Sequence, residues 1–142
     1  MKTILSLALT LLISSAAFTQ SYSVPEDYEF KTEKDYDKYE DDILKCVDWL
    51  MSSPVNKYTK KRGEAYQFLV EYVEGSPKVS AMLNLSASPY LRNPHLLVIY
   101  LASWTKSCLT QNYVNNVEEF TLRATDDVMK YYANNKKYIG KV

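Results

Sequence analysis

The chain has 142 residues, with 17 basic and 17 acidic side chains and so no net charge at neutral pH when its single histidine is uncharged. A chain of one domain's length with balanced charge lacks the clustered positive field that nucleic acid demands, so no nucleic-acid partner is expected. Three scattered glycines, Gly63, Gly75 and Gly140, cannot build a phosphate cradle or a dinucleotide fingerprint, which need close-set glycines to bring backbone N–H groups onto oxygen.

Lys2 followed by the uncharged, leucine- and alanine-rich run from Ile4 to Ala17 has the form of a secretory signal peptide. Such a segment needs about 7–15 apolar residues and small residues at the cut, and Ala17-Phe18-Thr19 puts small side chains first and third before Gln20. A membrane-spanning helix needs about 20 apolar residues, and this run stops at polar Thr19, Gln20 and Ser21. Residues 1–19 are therefore expected to be removed, leaving 123 residues (142 less 19) that are secreted or periplasmic. No cysteine follows the apolar run and no second apolar span occurs, so neither a lipid anchor nor stable membrane insertion is expected after cleavage.

Residues 20–31, with Pro25 and no helical period, read as an extended arm. Thr32-Glu33-Lys34-Asp35 has the pattern of a capping box. It opens a helix along which Tyr36, Tyr39, Ile43, Cys46 or Val47, and Leu50 recur at three- and four-residue steps. Nine acids lie between Glu26 and Asp42, and those within the helix sit toward its N-terminal half, where the dipole favours them. They read as a solvated face, with an acidic docking surface for a basic partner as the sharper alternative. Thirteen tyrosines suit the half-wet edge of a small core, and also binding surfaces. Ser52-Ser53-Pro54 ends this helix.

A second helix carries Ala65, Phe68, Leu69, Tyr72 and Val73, and Gly75-Ser76-Pro77 closes it. Its start is obscured by Lys60, Lys61 and Arg62, which oppose the dipole at an N-terminus, and by Gly63. Residues 78–88 alternate like a strand at Val79, Ala81, Leu83 and Leu85, yet Val79, Met82 and Leu83 also fit a helix, and neither period wins. Ser88-Pro89 and Asn93-Pro94 bracket a loop. Asn93 as cap and Pro94 in the first turn start a third helix with Leu97, Leu101, Trp104 and Cys108 as its core stripe. A fourth begins near Asn116, turns Val117, Phe120, Ala124, Val128 and Tyr131 inward, and frays at Asn134-Asn135. The expected fold is all-α, a single compact domain of about four helices over residues 32–142, with an irregular or short extended segment near residues 78–92.

No motif for catalysis, a metal or a cofactor emerges. His95 is the only histidine, and no nucleophile motif accompanies it, so a structural role at a helix start is expected. Asp35-x-Asp37 begins like a calcium loop but puts Tyr39 at a ligand position and Glu40 where glycine should turn the chain. Asn84-Leu85-Ser86 is a glycosylation sequon whose use depends on the host. Cys46 and Cys108 both fall on apolar helical faces, and export would expose them to oxidation. They form a candidate disulfide at even odds against two buried, unbonded thiols.

The chain resembles small uncharacterised exported helical proteins of Gram-negative bacteria. The likeness lies in the signal segment before Gln20, Cys46-Val47-Asp48-Trp49-Leu50 with Ser53-Pro54-Val55-Asn56, the Lys61-Arg62 helix entry, Gly75-Ser76-Pro77-Lys78-Val79-Ser80, and the helix around Trp104-Thr105-Lys106. It implies a shared fold and compartment and transfers no active site. The leading expectation is a non-enzymatic exported module that binds a protein or an envelope component. The alternatives are a small hydrolase or lyase assembled from His95, Tyr90 and Glu71, and a carrier of a small apolar ligand. Polar groups converging in a pocket beside His95 would favour the enzyme, and a dry cavity among Leu97, Leu101 and Phe68 the carrier. A filled core with an exposed Tyr/Asp/Glu patch would favour the binding module.

Overall fold

The computed structural model describes residues 22–81, 89–111 and 116–142. The expected signal segment, the sequon and residues 82–88 of the ambiguous stretch lie outside the described residues. The fold is all-α. Five α-helices, α1 (Glu33–Lys38), α2 (Glu40–Ser52), α3 (Thr59–Gly75), α4 (Pro94–Thr110) and α5 (Val117–Ile139), enclose one core, with a 3-10 turn at Pro89–Arg92.

The first predicted helix is two. The Asp35 carboxylate accepts from the N–H groups of Lys31 (3.0 Å) and Thr32 (2.7 Å) and from the Thr32 hydroxyl (3.0 Å), which caps α1 and holds its own pKa below the usual range. At Tyr39 the backbone leaves the helical region (φ −100°, ψ 7°) and the helix axis breaks. The break lets Tyr36 and Tyr39 both turn inward, where Phe30 stacks on Tyr36 and meets Tyr39 edge-on.

α4 is the centre of the molecule. It packs against α2, α3, α5 and the 3-10 turn. Leu96 and every residue from Val98 to Thr105 are buried, so its inward surface is far wider than the expected stripe. A helix apolar on most sides belongs inside a domain. Leu97, expected inward, is only partly buried. The start is as read from sequence: the Asn93 side chain accepts from the N–H groups of His95 (3.0 Å) and Leu96 (3.4 Å), with Pro94 in the first turn.

α5 is longer than expected. Asn116 caps it through the Glu119 N–H (3.1 Å), but Val117 is 40% exposed rather than inward. No fraying occurs at Asn135. That residue is buried, accepts from the Val55 N–H (2.9 Å) and donates to the Tyr131 carbonyl (2.9 Å), and the helix runs on to Ile139.

Residues 22–31 run outside any helix, but not as the uniformly extended arm expected: the chain turns at Glu26–Asp27, where Asp27 is left-handed (φ 52°). No backbone–backbone hydrogen bond involves residues 22–30 among the described residues. Rings hold the arm instead: Tyr22 against Trp49, Tyr28 edge-on to Phe68, and Phe30 among Tyr36, Tyr39, Phe68 and Tyr72. On the other side of this cluster, Lys78 forms ion pairs with Asp37 and Glu40 and ties the chain after α3 to the α1–α2 junction.

Candidate functional site

The uncertain start of α3 resolves around a buried cation. Arg62 is 2% exposed. Its NH2 donates to the Ser53 carbonyl (2.9 Å), the Ser53 hydroxyl (2.7 Å) and the Pro54 carbonyl (2.8 Å). These oxygens stand at the C-terminal end of α2, where the dipole is negative and carbonyls lack helical partners. A basic run unfavourable to its own helix is thus accommodated by the preceding one. No carboxylate pairs with Arg62 among the described residues, and its Nε and NH1 have no hydrogen-bond partner there. Aromatic faces stand in their place, with the guanidinium carbon 5.4 Å from the Trp49 ring centre and 5.9 Å from that of Tyr66. Tyr131 closes the cluster by donating to the Ser53 carbonyl at 3.1 Å, and burial pushes its phenol up to about 12.

His95 sits beside this cluster, half-buried at the start of α4. Its Nδ1 lies 3.0 Å from the Tyr66 hydroxyl. Burial first, and the nearby Arg62 charge second, lower the imidazole pKa, while burial raises that of Tyr66, so both are neutral near pH 7. A neutral phenol can donate to Nδ1, which leaves the ring proton on Nε2.

The other two residues of the hydrolase reading go elsewhere. Tyr90 packs edge-on against Tyr132, and Glu71 accepts from Gln67 at 2.7 Å. The three are therefore engaged with three different partners. Among the described residues, no group of three or more His, Cys, Asp or Glu is placed to hold a metal ion. Of the three residues of the carrier reading, Phe68 is fully buried in contact with Tyr28, Phe30 and Tyr39, and Leu97 is only partly buried.

The candidate disulfide between Cys46 and Cys108 is not formed: both thiols are unbonded, buried and far apart. Cys46 faces α3, its Sγ donating to the Ala65 carbonyl at 3.5 Å. Cys108 lies a turn beyond Trp104, whose indole donates to the Ser80 carbonyl at 3.1 Å. A shared core does not bring two side chains to one place in it. The even-odds expectation gives way to two small side chains that pack without bonding.

The acidic stretch divides by residue type. Tyr36 and Tyr39 are buried and Tyr28 half-buried, so these tyrosines line the core edge, while Glu29, Glu33, Asp37 and Asp41 stay in solvent. The expected exposed patch of tyrosine with acid is absent from this stretch. A concavity lies next to it. It is an open groove of about 840 Å³ between the arm (Tyr22, Val24, Pro25, Tyr28) and the start of α3, where Tyr58 and Lys61 form part of the wall. A polar cleft of about 370 Å³ lies between residues 51–57 and the end of α5, and shares no lining residue with the groove. His95 lines neither.

Sequence reasoning passed over two residues here, Arg62 and Asn135. Both carried a signal, since Arg62 continues the stripe of Ala65, Leu69 and Tyr72 backward, and Asn135 continues that of Ala124, Val128 and Tyr131 forward. A polar residue in register with an apolar stripe is a buried hydrogen-bonding group.

No known protein-family model matches the chain, and neither a curated protein nor a solved structure is significantly similar to it.

Proposed function

We propose that this chain is an exported, non-enzymatic binding module, and that a protein of the envelope lays an extended segment in the groove between the arm and α3. The observation that carries the reading is an open, aromatic-walled groove beside the arm, whose backbone on either side of the turn at Glu26–Asp27 pairs with no other element among the described residues. The open N–H and C=O groups flanking that turn can pair with a second extended chain over a few residues, with side-chain pockets supplying the choice of partner.

Tyr58 supplies the anchor. It is 52% exposed, and its left-handed backbone (φ 58°) turns the chain into α3. No side chain caps α3 behind it, and Lys60 is almost fully exposed with only a 3.8 Å contact to Glu64. Open N–H groups with adjacent lysines favour a carboxylate on the incoming segment.

A photo-crosslinking residue at position 58, with a control at Leu122 on α5, tests this in the native envelope. Leu122 is 66% exposed and lies outside the groove. The expected result is one discrete adduct from position 58 that is lost in Lys60→Glu/Lys61→Glu. Equal labelling from both positions, or an adduct indifferent to the charge reversal, would overturn the groove. Export has a separate readout: intact mass of the extracytoplasmic protein should give a chain beginning at Gln20, and a dominant species retaining Met1 would refute it.

A further inference from the structure

We propose that the polar cleft between the α2–α3 connection and the end of α5 binds a pyranose ring bearing a carboxylate, a uronic acid unit. This rests on different residues from the groove and does not depend on it. The floor of the cleft is rigid. The Ser53 carbonyl is held by both Arg62 and Tyr131, and Asn135 is held between the Val55 N–H and the Tyr131 carbonyl. A floor whose hydrogen bonds are already made does not reorganise when a ligand arrives.

The rim is different. The carboxamides of Asn56 and Asn134 line the cleft, and neither forms a hydrogen bond among the described residues. Each offers a donor beside an acceptor, the pairing that vicinal sugar hydroxyls return, since every hydroxyl both gives and takes. Tyr138, 53% exposed, stands at the edge as an aromatic platform for the C–H face of a ring, with Lys137 Nζ 5.8 Å from its ring centre. The volume of about 370 Å³ falls at the small end of the ~300–1,000 Å³ typical of ligand sites and suits one or two rings.

Charge narrows the choice. Lys57 is the single ionic side chain lining the cleft, and the Arg62 guanidinium lies directly behind the Ser53 carbonyl. Lys136 and Lys137, in the last turn of α5, lie outside the lining. No acid in the lining repels a ring carboxylate, and Lys57 can pair with it, against the negative end of the α2 dipole that Arg62 already occupies.

Galacturonic acid, trigalacturonate, galactose and acetate are titrated into isotope-labelled protein while the side-chain amide signals of Asn56 and Asn134 are followed. Galacturonate should shift both signals with Kd on the order of 1 mM, and galactose should do so more weakly. Trigalacturonate binding no better than the single unit would still support the site and would show that it takes only one ring. Tyr138→Ala should weaken the sugars about tenfold, and Lys57→Gln should weaken galacturonate about fivefold while leaving galactose unchanged. The proposal falls if the amides do not respond by about 20 mM sugar. It also falls if Tyr138→Ala binds as well as the parent with its spectrum otherwise intact. Matching shifts from acetate alone would mean a bare carboxylate site, as for an acidic peptide, and would overturn the sugar assignment.

Discussion

The Tyr66 hydroxyl and His95 Nδ1 lie 3.0 Å apart, joining α3 to the first turn of α4 beside a buried guanidinium. Both rings are neutral near pH 7, and the arrangement tolerates a second positive charge poorly. Because burial and Arg62 lower the folded-state pKa of His95 from its ordinary 6.5, its contribution to stability is complete above about pH 6.5. The contribution is lost as pH falls through the lower folded value. Thermal melts from pH 7.5 to 4.5 should show a drop that shrinks in His95→Gln. An identical pH profile for the two proteins would remove His95 from the account. The same variant should keep the position-58 crosslink, since His95 does not line the groove.

Arg62→Leu should destabilise the domain by about 2–4 kcal/mol. It deletes three charge-assisted hydrogen bonds, although the Ser53 carbonyl keeps Tyr131 and the Pro54 carbonyl keeps the Lys57 N–H, and it no longer buries a cation. Arg62→Lys should fall between the two, because an ammonium lacks the flat fork that lies along Trp49 and Tyr66. Urea unfolding measures both. An Arg62→Leu protein as stable as the parent would mean that desolvating the charge costs as much as its bonds return.

Gly75 ends α3 directly under Tyr36. A Cβ there would lie 1.9 Å from the Tyr36 hydroxyl oxygen and 2.9 Å from the ring carbon that carries it. Tyr36 cannot easily yield, being stacked on Phe30 and edge-on to Tyr72. Gly75→Ala should therefore cost about 1–3 kcal/mol, although alanine is the better helix former. Tyr36→Phe removes the nearest atom, so the double variant should recover part of the loss in a double-mutant cycle. Additive effects would show that the clash relaxes some other way.

The thiols should stay reduced without a reductant. Burial pushes the Cys46 thiol up to about 12 and raises that of Cys108, so neither supplies thiolate near pH 7. Native protein should resist alkylation over hours, and two labels should appear once it is unfolded. A mass two units lighter, with no label after unfolding, would mean that the chain reaches a bridged state.

Helix identity was largely legible because Asn93-Pro94, Asn116 and the apolar steps act locally. What escaped was set by tertiary placement. A stripe argument assumes one inward face, so it undercounted α4, which meets neighbours on most sides. The break at Tyr39 depends on the arm bringing Phe30 onto Tyr36 and Tyr39, and periodicity carries no trace of that. The two cysteines were each correctly placed inward, but their separation depends on how the helices stack. The polar cleft was invisible in sequence because its halves, Ser52 to Lys57 and Tyr131 to Tyr138, are some 80 positions apart, as the Val55–Asn135 bond illustrates.

The central placement of α4 bears on how the polypeptide is made. Leu96 to Trp104 is almost wholly apolar and is covered only when α2, α3 and α5 have all arrived. α5, its most extensive neighbour, is translated after the other four helices. A nascent chain halted before residue 117 therefore carries a naked apolar rod, the kind of surface that holdase chaperones grip and that drives self-association. Such a chain should pellet on release, whereas the complete one folds.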